Sequence, residues 1–246
     1  MIVYAVGIGP GDAEHFTPKA RHVIDVCDVI VGYALYIELI SELLQGKQVI
    51  STGMKSELSR CKTAISEARK GKSVAVISSG DAGIYGMAAL LLELTANDPQ
   101  IKIEIVPGIT AATAAASMLG APLSNDFAVI SLSDLLTPWS VIERRLEAAG
   151  LGDFVVCLYN PRSKTRKDGL RRACGILLKH KPPQTPCGYV RNALRDNSER
   201  RICMLRDLPD AEIDMLTTVI VGNSRTQCIG DRLVTSRGYR TEEVFQ

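Results

Sequence analysis

"SVAVISSGDAGIYG", residues 73–86, passes from a continuous apolar run into a loop in which glycines 80, 83 and 86 surround a single carboxylate, Asp81. An unbroken apolar run rich in β-branched residues is the pattern of a strand buried on both faces, as in a parallel sheet covered by helices. The loop itself has two readings. It is a tight turn whose Asp81 caps the next helix, or its glycines leave bare main chain against which a polar ligand can lie.

The same alternation extends outward. Strand-like runs stand at 2–8, 28–33, 48–52 and 101–107 as well, with helical patterns between them. Thr17 followed by Pro18 reads as an N-cap and first-turn pair. Within "SELSRCKTAISEARKG" (56–71), Leu58, Cys61, Ile65 and Ala68 recur at helical spacing, and Gly71 is the stop. After a helix at 109–120, the stretch "APLSNDF" is punctuated like a domain junction. Five further strand candidates follow, "FAVISL", "DFVVCLY", "TPCGYV", "RRICMLRD" and "TTVIVG", with fewer helices between them. The expectation is a two-domain α/β protein: residues 1–119 around a mostly parallel sheet, and 120–246 around a mixed one.

Composition narrows the function. The 246 residues are 46% apolar and 23% charged with a net charge of +2, so no strong field points to nucleic acid or an anionic membrane. No run reaches the roughly 18 apolar residues of a membrane helix. The start, "MIVYAVGIGPGD", lacks the basic region of a secretion signal, so the cytoplasm is the expected compartment. Seven cysteines are scattered without a C-x-x-C spacing and three histidines stand far apart, which predicts reduced thiols and no bound metal.

Three glycine-bearing segments fall where strands end: "GIGPGD" (7–12), "SSGDAGIYG" (78–86) and "PGITAATAAAS" (107–117). In a doubly wound sheet that edge is where ligands bind. "GIGPGD" is not a dinucleotide fingerprint, because Asp12 stands where the third glycine belongs and Pro10 removes a donor. "GKS" at 71–73 is not a phosphate loop, because Ser66 stands at its first glycine position. Taken singly, the first segment also reads as a strand-to-helix turn, and the third as a helix packed closely through Ala111, Ala112, Ala114 and Ala115. The run "NPRSKTRKDGLRR" (160–172) reads either as a solvated helix face or as an anion-binding segment. RNA binding lacks support, since only 5% of residues are aromatic.

Taken together and in this order, "GIGPGD", "VGY" (31–33), "SSGDAGIYG" and "PGITAATAAAS" resemble the tetrapyrrole methylases; "SLSDLLTPW" (131–139), "LYNPRS" (158–163) and "VIVGN" (219–223) extend the likeness over nearly the whole chain. The resemblance implies two α/β domains with the methyl donor, S-adenosylmethionine, in the cleft between them, and S-adenosylhomocysteine as its product. It implies donor-binding roles for Pro10, Ser79, Gly80, Asp81, Ile84, Thr110, Ala111, Tyr159, Asn160, Ala193 and Thr218. Within the family, "STGM", "SSGDAGIYGMA", "LSDLLTPW" and "YNPRS" are most similar to the branch acting at carbon 17 of precorrin-3B or cobalt-factor III in cobalamin synthesis, with contraction of the ring. Methylation of another corrin carbon, such as C11 or C20, or of RNA or a protein are the alternatives, and a donor-sensing module without catalysis is a third. A tetrapyrrole substrate and a homodimer are implied, with neither nucleic acid nor membrane as partner. Related uroporphyrinogen methylases carry an acid after the second strand and a lysine after the third. Here Tyr33 and Met54 stand there, with Lys55 adjacent, so Tyr33 and Lys55 are candidates for proton movement, or a wall residue and a solvated lysine. Arg162 is the candidate for pairing with a ring carboxylate.

Overall fold

A computed structural model describes residues 1–54, 56–163 and 167–239 and separates the chain into two compact units, Met1–Ala111 and Ala112–Gln246. In the first, β1 (Ile2–Gly7), α1 (Pro18–Val26), β2 (Val29–Tyr33), α2 (Ala34–Glu38), β3 (Gln48–Thr52), α3 (Glu57–Arg69), β4 (Val74–Ser78), α4 (Ala88–Thr95) and β5 (Lys102–Val106) follow one another. All strand pairs are parallel, in the order β3-β2-β4-β1-β5.

The apolar run at 74–77 is buried on both faces for a visible reason. Val74 and Val76 pack with Val29, Val31, Cys61, Ala64 and Leu91 beneath α3 and α4. Ala75 and Ile77 pack with Val23, Ile24 and Ile30 beneath α1. The outer strands differ from the expectation of uniform burial: in β3, Gln48, Val49 and Ser51 are exposed, and in β5, Lys102 and Ile105 are. Each has a neighbour on one side only. Thr17 caps α1 as its type predicts, its Oγ1 accepting from the Ala20 N–H at 3.2 Å. Leu58 breaks the helical pattern read for α3, because it points to solvent while Arg60 and Glu67 join Cys61, Ala64, Ile65 and Ala68 in burial.

The second unit contains α5 (Ala111–Leu119, beginning at the boundary), β6 (Gly120–Ala121), β7 (Phe127–Ser131), α6 (Trp139–Leu151), β8 (Val155–Tyr159), α7 (Gly169–Leu177), β9 (Pro186–Arg191), β10 (Glu199–Met204), β11 (Thr217–Val221), β12 (Thr226–Ile229) and β13 (Arg232–Thr235). Its main sheet, β10-β9-β11-β8-β7, is mixed: β7 and β8 are parallel, and β11 and β10 run against their neighbours. Helices α6 and α7 cover one face. The other is covered by α5, which packs through Ala112, Ala115, Ala116 and Leu119 against Val155, Cys157, Val190 and Ile220. A small sheet, β12-β13-β6, has no counterpart in the sequence reading, and Ala121 of the expected junction is paired within it to Val234.

One buried lysine pins the entry to β8. The Lys181 Nζ donates to the Phe154 carbonyl at 2.9 Å and lies 3.5 Å from Asp153, itself in left-handed backbone at φ 53°. Burial lowers the lysine pKa against the pull of Asp153. Burial pushes Asp153 the other way, but hydrogen bonds from Ser224 and the nearby lysine charge outweigh it and hold the carboxyl below its usual range. The partly exposed carboxylate satisfies its charge; the enclosed ammonium is the costlier partner.

Candidate active site

The strand order explains why three glycine segments distant in sequence belong together. β1 lies between β4 and β5, and all three are parallel, so the loops after Gly7, Ser78 and Val106 leave one edge side by side. There they pack main chain against main chain. Gly9 and Gly80 exchange hydrogen bonds at 3.0 and 2.7 Å. A Cβ on Gly7 would sit 2.7 Å from the Gly80 carbonyl oxygen, and one on Gly108 only 2.2 Å from the same atom. Gly80 has φ +70°, and space around it is ordinary; its backbone angle, not crowding, favours glycine.

Asp81 locks this knot. One carboxylate oxygen accepts from the Gly83 N–H at 2.7 Å, the other from the Gly108 N–H at 3.0 Å. It does not cap the following helix, as one sequence reading held. α4 begins at Ala88 with Met87 at its N-cap, six residues downstream of Asp81, because the loop 81–86 turns separately first. Within that loop Ile84 and Tyr85 project to solvent, 40% and 54% exposed, and Tyr85 holds φ 54°. Left-handed backbone at the exposed Tyr85 is a costly arrangement for a tyrosine, on the order of 1–2 kcal/mol. Such outliers point to function. Of the other expected residues of this unit, Pro10 is buried, and Ser79, Thr110 and Ala111 are half-buried along the same edge.

Tyr33 closes β2 at that edge, half-buried, its ring edge-on to Tyr36 with centroids 5.2 Å apart. The neighbouring loop after β3 is fixed by Arg60, a buried guanidinium that sequence reasoning overlooked; it donates to Thr52 Oγ1 at 2.8 Å and to the Gly53 carbonyl at 3.1 Å. Met54 is exposed there, and Lys55 lies outside the described residues.

In the second unit the carboxyl ends of β7, β8 and β9 share an edge with the start of β11. This brings Tyr159, Asn160, Ala193 and Thr218 to one place. Asn160, Asn192 and Leu194 all adopt positive φ, at 52°, 50° and 57°, in the turns that leave β8 and β9. Ser131, the first residue of the "SLSDLLTPW" stretch, accepts from Asn160 Nδ2 at 3.0 Å. The Tyr159 hydroxyl accepts from the Ala112 N–H at 2.6 Å and so caps the start of α5. Arg162 is half-buried and has no ion-pair partner among the described residues, whereas Arg171 and Arg172 of the same basic run are paired with Asp210 and Glu143. The run therefore divides: its helical end is a solvated face, and Lys164 and Arg166 lie outside the described residues.

Burial pushes the Cys61 thiol up to about 11 and the Cys157 thiol up to about 12, far from a reactive thiolate. Among the described residues no group of three His, Cys, Asp or Glu could hold a metal, and no helix is long and apolar enough to cross a membrane.

Residues 2–209 match the family model of the tetrapyrrole (corrin/porphyrin) methylases. The chain belongs to that family. This methylase is 48% identical to a probable cobalt-factor III C(17)-methyltransferase of Salmonella typhimurium, over 95% of its own length and 98% of that protein. It is 49% identical to a cobalt-factor III methyltransferase of Priestia megaterium, of which it spans only 44%. Its fold matches the crystal structure of the methyltransferase CobJ with a TM-score of 0.90 at 36% identity, covering 96% and 99% of the two chains. The methylase is thus a methyltransferase with a parallel first sheet and a mixed second one.

Proposed function

We propose that this methylase moves the methyl group of S-adenosylmethionine to carbon 17 of a corrin precursor, cobalt-factor III or its cobalt-free counterpart precorrin-3B, with contraction of the macrocycle during cobalamin synthesis. The match over 95% of this chain and 98% of a relative named for the cobalt-factor III C(17) reaction carries this reading. The relatives named for cobalt-factor III, 44–49% identical to this chain, support the cobalt-bearing substrate.

The donor, when bound, supplies an already activated methyl. The first unit places Ser79, Gly80 and Asp81 beside the exposed Ile84, with Pro10, Thr110 and Ala111 along the same edge. By the family's motifs Tyr159, Asn160, Ala193 and Thr218 also contact the donor. The protein's task is alignment of donor and ring carbon, which by itself supplies much of the rate in such transfers. Excluding water helps further, because charge disperses as the methyl moves. Isothermal titration tests the donor assignment: saturable binding of both S-adenosylmethionine and S-adenosylhomocysteine is expected, and no binding of either contradicts it.

Arg162 is assigned to a carboxylate of the macrocycle. Arg162→Ala should raise the KM for the tetrapyrrole by about 1.5–3 kcal/mol in binding terms if the pair is shielded, and by less in proportion to its solvation. The donor Kd should hardly change. Equal weakening of both ligands would remove the substrate role.

A further inference from the structure

The loop between β1 and α1 contains a histidine–carboxylate pair to which the methyl-transfer scheme above gives no task. His15 Nδ1 lies 2.7 Å from each oxygen of Asp12, and the His15 N–H donates to the same carboxylate at 2.8 Å. Both side chains are about one-third exposed, at 34% and 30%. Held in this way, Nδ1 donates its ring hydrogen to the carboxylate, and Nε2 has no hydrogen-bond partner among the described residues. The pair sits in the loop that leaves the carboxyl end of β1, five residues beyond Pro10, against the main chain of Gly9.

We propose that His15, oriented by Asp12, is the base that removes the proton released on methylation of the macrocycle. The assignment rests on the methyl transfer proposed above. When the S–CH3 bond breaks, its electron pair stays on sulfur, and a π pair of the ring forms the new C–CH3 bond. The macrocycle thereby gains one positive charge and sheds it as a proton from a ring N–H or hydroxyl. His15 Nε2 takes that proton, Asp12 steadies the imidazolium, and water later accepts it. A neutral imidazole suits this role near neutral pH. The surrounding charges leave the ring available. Glu14 on the same loop is exposed, and Asp81 is occupied by the N–H groups of Gly83 and Gly108. Lys19 of α1 is paired with Glu104 of β5 at 3.1 Å, and residues 107–110 bring no titratable side chain.

The test uses the full chain with cobalt-factor III and precorrin-3B. For the wild type, kcat/KM should fall on the acid side, with a midpoint equal to that of His15 followed by NMR in the ligand-free protein. His15→Gln should lose about a hundredfold or more in methyl transfer, lose that acid limb, and keep its S-adenosylmethionine Kd by calorimetry. Added imidazole should restore part of the rate. Asp12→Asn, which retains a side chain of the same shape, should displace the NMR midpoint and the acid limb together. A His15→Gln protein with the wild-type rate and an unchanged acid limb overturns the proposal, as does an acid limb that does not follow the NMR midpoint in Asp12→Asn. A wild-type protein that binds the donor but methylates neither tetrapyrrole overturns the methyl-transfer reading itself, and the base with it.

Discussion

Gly108→Ala should cost this methylase about 3 kcal/mol or more, or prevent the first unit from folding. The added methyl would lie 2.2 Å from the Gly80 carbonyl oxygen and 2.7 Å from the Gly7 carbonyl carbon, both main-chain atoms that cannot swing aside as a side chain could. Moving them apart also strains the hydrogen bond from the Gly108 N–H to Asp81 and the reciprocal pair between Gly9 and Gly80. Overpacking in cores typically costs 1–3 kcal/mol and more where backbone must move, against total stabilities of about 5–15. Gly71→Ala is the matched control. Its φ is +86° and nothing lies within 4 Å, so only the left-handed backbone is penalised, by about 1–2 kcal/mol. Urea midpoints followed by circular dichroism compare the two. Equal midpoints would mean that the three loops do not pack as described.

Tyr33→Phe should separate two halves of the reaction. Tyr33 ends β2 and its hydroxyl makes no hydrogen bond among the described residues, while its ring is steadied edge-on by Tyr36 at 88°. Phenylalanine keeps that ring contact, worth roughly 0.5–1.5 kcal/mol, so the fold should be undisturbed. Methyl transfer relies on alignment and on a base elsewhere, and should continue. Contraction of the ring needs a proton moved at a further position, which we assign to the Tyr33 hydroxyl; its loss should slow that step about a hundredfold or more. Methylated, uncontracted macrocycle should accumulate, visible as a gain in mass without the change in absorbance. Contracted product at the normal rate would reduce Tyr33 to a wall residue. A parallel fall in both steps would make it a positioning group.

The alternation of apolar runs and helical patterns made the strands of the two five-stranded sheets legible in the sequence, because their central strands, buried on two faces, are continuous apolar runs. Their order was not legible. That β1 lies between β4 and β5 is a fact of pairing, and without it the glycines at 7, 80 and 108 look like three separate ligand cradles. They are in large part cradles for one another. The strands β12 and β13 escaped notice because Gln227, Cys228, Ile229 and Arg232 are exposed and no apolar run marks them. His15 and Asp12 form no recognised pattern, since their meeting depends on a loop conformation that three residues of spacing do not dictate. Arg60 was hidden in a helix whose reading rested on its apolar residues alone. Tyr159, Asn160, Ala193 and Thr218 came from family motifs alone, and the edge they share could not be read from spacing.

The central claim is transfer to one particular carbon, and the position of the methyl group tests it most directly. The methylase should be incubated with S-adenosylmethionine carrying a carbon-13 methyl group and, separately, with cobalt-factor III and precorrin-3B, and the product examined by NMR. A single enriched methyl on carbon 17 of a contracted macrocycle is the predicted result, with the cobalt-bearing substrate the better of the two. Label on any other carbon, on nitrogen or on oxygen, or no label in either product, would contradict it.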